Sequence, residues 1–168
     1  MEYQEKQRFN QWWMILLMGG VSAMVYYGSV SQWITGIPFG DKPLSDMGLL
    51  FPVVLITVVN LGLFTGGLTT RVDENGIAVR FTPFIWKEKK YVWSDLAEVK
   101  VREYRPLAEY GGWGVRGFGK NRALNVSGNF GLQLVMKDGA KMLIGTQKPQ
   151  ELEDFLKSLP VANEILKV

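Results

Sequence analysis

Cysteine and histidine are both absent from this chain of 168 residues. Without cysteine there is no disulfide, no thiolate nucleophile and no Cys-ligated zinc or iron–sulfur site. Without histidine the commonest general base and the commonest metal ligand are gone. Charge is missing from two long windows: no Asp, Glu, Lys or Arg stands between Phe9 and Gly40 or between Met47 and Thr70. Each window exceeds the ~20 residues that an apolar helix needs to cross a bilayer. The 19 basic and 16 acidic residues, a net charge of +3, are crowded into the remainder.

The first window predicts a spanning helix over residues 12–34, with Trp12 and Trp13 at one end and Trp33 at the other, where aromatic belts meet headgroups. At ~1.5 Å per residue it reaches about 34 Å, enough for a hydrocarbon core of ~30 Å. The second window predicts a span over 47–68, with Ser45 or Asp46 as N-cap and Pro52 in its first turns. A signal peptide is the alternative for the first window. Its apolar core would be too long, and no small-x-small cleavage site follows. A buried soluble hairpin is the other alternative, but it needs more partner surface than the rest of the chain supplies.

The flanks set the topology. Lys6 and Arg8 precede the first span, and Arg71, Arg80, Lys87, Lys89 and Lys90 follow the second. The connecting loop 35–46 holds Lys42 against Asp41 and Asp46. Positive-inside bias places both termini in the cytoplasm and the loop outside. A reporter at Val168 should then read cytoplasmic, and one near Gly40 should read external. The small-xxx-small pairs Gly19/Ala23 and Gly62/Gly66 are candidate helix-packing positions, either between the two spans or in an oligomer. Asn60 is expected to bond across to the neighbouring helix. Neither span holds an ionisable residue on which a proton relay could run.

Residues 1–11 read as a cytoplasmic segment and 69–168 as a cytoplasmic domain of short strands. Asn75-Gly76 predicts a type I′ hairpin with positive φ at both positions. Ile77, Val79 and Phe81 then alternate with Ala78, Arg80 and Thr82 until Pro83. Strands are expected near 87–93 and 96–104, the latter with Ala97, Val99 and Val101 on one face. Another is expected near 123–126. Residues 132–136 and 141–144 form a second hairpin about Asp138-Gly139. Pro149 opens a helix whose Leu152, Phe155, Leu156 and Leu159 share one face, and Pro160 ends it.

Seven strands and a terminal amphipathic helix predict an α+β domain. The stretch from about Gly67 to Leu159 resembles the bacterial pleckstrin-homology-like domain, and Trp93-Ser94-Asp95-Leu96 looks like the start of that family's W-x-D-[IL] segment. Three further strings resemble those of bacterial membrane proteins of unknown function: Glu109-Tyr110-Gly111-Gly112-Trp113-Gly114-Val115-Arg116, Asn125-Val126-Ser127-Gly128 and Ile144-Gly145-Thr146-Gln147-Lys148-Pro149. The resemblance implies an antiparallel β-barrel capped by its C-terminal helix, following a two-helix transmembrane hairpin. It also implies the bacterial inner membrane, with a periplasmic loop, and a binding or scaffold role without catalysis.

Candidate sites follow from composition. Residues 105–122 hold five glycines, four bases and one acid. They read as an irregular segment, either a bent structural corner or a contact surface. Glu109, Tyr110, Trp113, Arg116, Phe118, Lys120 and Arg122 are its candidate binding residues. Lys87, Lys89 and Lys90 are candidates for contact with anionic lipid. The first domain hairpin, Asp73-Glu74-Asn75-Gly76, is acidic, so no phosphoinositide is expected there. From Arg71 onward 16 bases stand against 12 acids, too slight an excess for nucleic acid without a stacking platform or groove-entering helix. No metal or cofactor motif and no catalytic constellation is legible. The expected function is a membrane-anchored, non-enzymatic binding module for a protein partner or a second copy. The alternative is a subunit of a larger membrane complex assembled through the spans.

Overall fold

The computed structural model describes residues 1–162 and 164–167; Asn163 and Val168, the reporter position, lie outside the described residues. Two compact units result, one of Met1–Phe9 with Gly66–Val168, the other of Asn10–Thr65.

The second unit holds two helices, α1 (Trp12–Thr35) and α2 (Leu50–Thr65). Gly36 closes α1 in the left-handed region, φ 70°, donating its N–H to the Gln32 carbonyl. By length and composition α1 can cross a membrane, and α2 is a shorter apolar helix of 16 residues. The expected span 47–68 is thus shortened at both ends. Before it, Ser45 Oγ accepts the Gly48 N–H, the capping role expected of it, in a turn that leads by backbone bonds into α2. After it, Gly67 and Leu68 pair with Arg8 and Gln7 as strand.

Ser22 and Tyr26 of α1 meet Asn60 and Thr57 of α2. Asn60 Nδ2 donates to Ser22 Oγ at 2.8 Å, and the Tyr26 and Thr57 hydroxyls lie 2.9 Å apart. The pairing order makes the helices antiparallel. Gly19 and Ala23, expected as a packing pair, are exposed, because the hydroxyl-bearing stripe takes the contact instead. Gly62 is half-buried, and Gly66 is buried in the other unit. The loop after α1 folds back on it: Phe39 packs at Gly28, and Gln32 bonds Phe39 N–H, the Leu44 carbonyl and Asp46.

The first unit is α+β. Its four-stranded antiparallel sheet has the order β1 (Tyr3–Arg8), β2 (Gly67–Asp73), β3 (Gly76–Thr82), β4 (Ile85–Val92). After a 3₁₀ turn, Trp93–Asp95, comes a five-stranded mixed sheet. It contains β5 (Leu96–Glu103), β6 (Gly114–Phe118), β7 (Asn121–Asn125), β8 (Phe130–Met136) and β9 (Lys141–Thr146). Its order is β5-β8-β9-β7-β6, with β7 and β9 parallel. A short helix α3 (Pro106–Tyr110) follows β5, and α4 (Pro149–Ser158) follows β9.

Among the described residues the sheets do not join into one closed barrel. The outer edge of β5, where β4 would have to pair, is instead bonded by the C-terminal segment: Val99 N–H donates to the Ile165 carbonyl and Lys167 N–H to the Val99 carbonyl. The core lies between the sheets, with Leu68, Val79 and Phe81 from one, Leu132, Leu134 and Ile144 from the other, and Leu152, Leu156 and Leu159 of the α4 region against both.

Two local expectations shift. The first hairpin loop is Glu74-Asn75, one position earlier than expected. Asp73 Oδ1 accepts the N–H groups of Asn75 and Gly76, and only Gly76 has positive φ. In β5 an irregularity between Leu96 and Glu98 turns Ala97 outward, so Leu96 and Val99 are the buried pair.

Candidate functional site

Residues 1–11 are not a free segment. Along β1, Tyr3, Glu5 and Gln7 face inward while Gln4, Lys6 and Arg8 face solvent. Glu5 is 5% exposed. Its Oε2 accepts the Tyr3 hydroxyl at 2.8 Å and the Thr146 hydroxyl at 2.7 Å. Its Oε1 accepts the Gln147 N–H at 2.7 Å and Gln7 Nε2 at 3.0 Å. Gln7 Nε2 also donates to the Gly145 carbonyl at 2.6 Å. Four donors surround this carboxylate, which offsets the desolvation that burial imposes. Burial and the bond to Glu5 push the Tyr3 phenol well above its ordinary value.

The strings that carry the family resemblance are wired to this cluster and to one another. Gln147 Nε2 donates to Ser127 Oγ at 2.7 Å, and the Trp113 indole N–H donates to the Gly128 carbonyl at 3.0 Å. Asn125 is fully buried, accepting the Gly114 N–H and donating to the Tyr104 hydroxyl. Gly145 lies so close beneath Asn125 that an added Cβ would stand 2.8 Å from the Asn125 Cβ.

Most of the segment expected to be irregular is ordered as α3, β6 and the start of β7. Its candidate residues divide into two groups. Glu109 forms a two-pronged pair with Arg102, at 2.7 and 3.3 Å, and accepts the Arg105 N–H at 2.7 Å. The Arg102 guanidinium and that N–H hold the Glu109 carboxyl below the usual carboxylate range. Tyr110 sets its ring against Tyr104 at 6.0 Å, over buried Ala123 and Leu143, and burial pushes its phenol up. Trp113 is half-buried. Glu109 and Tyr110 fasten α3 over the outer face of the five-stranded sheet, and Trp113 ties the start of β6 to the loop at Gly128.

Arg116, Phe118, Lys120 and Arg122 lie together on the β6–β7 hairpin at the sheet's edge. Phe118 is 96% exposed. Arg116 Nε donates to the Trp113 carbonyl at 2.7 Å, and Lys120 Nζ to the Asp138 carbonyl at 3.2 Å. A hollow of about 590 Å³ beside them is lined by Tyr110, Val115, Arg116, Phe118 and Arg122. Among the described residues strand β6 pairs only with β7, which leaves its other backbone edge open.

A groove of about 590 Å³ on the outer face of the same sheet was not foreseen. Glu98, Lys100, Arg102, Glu109, Gln133 and Lys141 line it. Glu98 lies 2.8 Å from Lys100 Nζ and 3.1 Å from Lys167 Nζ, and these ammonium groups lower its carboxyl. Alternation along β5 marks these residues as the wet face, and only the fold of α3 over it makes a groove. Such a surface offers paired charges and amide groups suited to polar, extended ligands. Among the described residues no group of three or more Asp and Glu side chains could hold a metal ion.

Lys87, Lys89 and Lys90 are all exposed on β4. Lys89 Nζ lies 5.1 Å from the ring centre of Tyr91, whose buried phenol is pushed up to about 12.

Fold and surfaces together define an α+β domain interrupted, after its first strand, by an apolar helical insertion. Comparison with protein-family models and with curated proteins finds no match to the chain.

Proposed function

We propose that the protein is a membrane-anchored, non-enzymatic binding module. The insertion crosses the bacterial inner membrane as a two-helix hairpin and holds a pleckstrin-homology-like domain on the cytoplasmic face, with both termini on that side. The observation that carries this reading is the register of β1 on β2. Arg8 pairs with Gly67, so the helical segment between them leaves and rejoins the domain at one place. A segment that crosses a bilayer and returns to its starting side needs two spans, and α1 and α2 run antiparallel. A sheet pair packed about one core and followed by a C-terminal helix supports the domain assignment. The parallel β7–β9 pair departs from the expected antiparallel barrel. The β6–β7 edge with exposed Phe118 and Arg116 is the contact surface for a protein partner.

Because the chain lacks cysteine, single introduced cysteines report topology without background. In intact cells, a membrane-impermeant maleimide should label Gly40→Cys and spare Lys137→Cys; the reverse pattern overturns the orientation. A photo-crosslinking residue at position 118 in native membranes should give a discrete adduct that one at position 75 does not. Equal adducts at both positions overturn the contact surface.

A second reading is a subunit assembled through its helices. Gly19 and Ala23 are exposed on α1, and a Cβ at Gly19 would meet nothing within 4 Å. Gly19→Leu should then reduce the size of the detergent-extracted complex, and unchanged size dismisses this reading.

A further inference from the structure

Charge and aromatic residues are unevenly distributed over the outer face of the four-stranded sheet. Lys6 pairs across Thr69 with Arg80 in one cross-strand row, and Arg8, Gly67 and Thr82 form the next. The turn Pro83-Phe84 follows directly, at the same end as Arg8 and Gly67. Phe84 is 68% and Trp86 74% exposed, and Lys6, Arg8, Arg80 and Lys87 are exposed around them. The acids lie toward the other end. Glu2 and Glu88 are both bonded to Arg71, at 2.8 and 3.3 Å, and Asp73 and Glu74 form the opposite hairpin. Among the described residues, Lys6, Arg8, Arg80 and Lys87 make no ion pair.

This basic, aromatic end is also the end from which the apolar helices depart. Phe9 is separated from Trp12 by two residues, and Gly67 from Thr65 by one. With α1 and α2 in the bilayer, so short a tether keeps the end within about 10 Å of the headgroups, at ~3.3 Å per extended residue. Large exposed aromatics beside unpaired bases are the composition that enters an anionic interface: the rings sit at headgroup depth and the bases meet lipid phosphates.

We propose that this end of the sheet is a second, peripheral membrane contact, in which Phe84 and Trp86 seat in the headgroup layer of an anionic leaflet and Lys6, Arg8, Arg80 and Lys87 engage its phosphates. The proposal rests on the membrane-spanning reading of the helices. It also separates the three lysines of β4. Lys87 belongs to the contact, while Lys90, which pairs with Ala78, stands three residues further along β4, about 10 Å at full extension.

The test uses the full chain in nanodiscs of phosphatidylethanolamine and phosphatidylglycerol, with single spin-labelled cysteines at Phe84, Asn75 and Val58. Relative accessibility to oxygen and to a water-soluble nickel chelate gives the depth of each label. The label at 84 should lie at headgroup depth and that at 75 in water. Arg80→Gln should lower the docked-to-free ratio at 84 about fivefold, as expected for one base near an anionic surface. In phosphatidylcholine discs the label at 84 should move into water. A label at 84 as wet as that at 75 in the anionic discs, with position 58 lipid-buried, overturns the proposal and leaves the spans intact. A wet label at 58 overturns the spanning reading itself.

Discussion

The carboxylate of Glu5 accepts the hydroxyl of Thr146 at 2.7 Å, across 141 positions of sequence. This bond and its neighbours close the first strand onto the last, so the chain brackets its own helical insertion. Strand β1 is made first but finds its side-chain partners only when residues 145–147 exist, a contact of high sequence separation.

Two threonines face this carboxylate with opposite consequences. Thr146 donates to it, whereas Thr70, directly across the ladder from Glu5, has a buried hydroxyl without a partner among the described residues. Thr146→Val should destabilise the protein by about 1.5–3 kcal/mol, the cost of a hydrogen bond to a charged group. Thr70→Val should be neutral or stabilising by about 1 kcal/mol, because it removes an unsatisfied polar group. Urea titration of the detergent-solubilised protein measures both. Equal losses would contradict the assignment of Glu5's donors.

The pairing of Arg8 with Gly67 makes the insertion replaceable. A hairpin loop of about two to five residues in place of 9–66 should yield a water-soluble, β-rich domain. The fragment 67–168, which keeps all of β2, should be less stable, because it lacks β1 and leaves the Gln147 N–H and the Thr146 hydroxyl without Glu5. Far-ultraviolet circular dichroism and thermal melting compare the two. A fragment as stable as the looped chain would show that β1 adds nothing.

The pair between Glu109 and Arg102 predicts a pH dependence. Its guanidinium partner lowers the Glu109 carboxyl below the ordinary value. The stabilisation is therefore complete above ~4.3, the usual Glu pKa, and is lost as pH falls through the lower folded value. Both side chains are partly exposed, 26% for Arg102 and 36% for Glu109, so about 0.5–1 kcal/mol is expected. Glu109→Gln should flatten that part of the acid limb. An unchanged limb would mean the pair contributes nothing.

In the helical unit, Phe39 occupies the space that a side chain at Gly28 would need. Gly28→Ala should displace the loop 36–49 and speed its cleavage by an added protease. In a Phe39→Ala background the same change should have little further effect, since the clash is gone. Equal effects in both backgrounds would place the cause elsewhere.

Patterns of period and charge were sufficient for the uncharged windows, the second hairpin and α4, and placed the first hairpin to within one residue, because burial there is apolar and leaves a repeat in the residues. Ile77, Val79 and Phe81 are all buried as their alternation implies. Strand β1 left no such mark: its inward face is Tyr3, Glu5 and Gln7, and polar residues are buried only when distant donors satisfy them. Strand β6 was equally hidden, since Gly114 and Gly117 read as loop until β7 pairs with them. Sequence by itself determined two apolar segments ahead of a strand-rich domain, through hydrophobicity and local turn chemistry. Only tertiary structure decided that β1 belongs to that domain and that α3 makes a groove on the outer sheet. It also decided that Arg8 and Gly67 stand side by side at one end of the sheet, because each of these depends on partners far away in the chain.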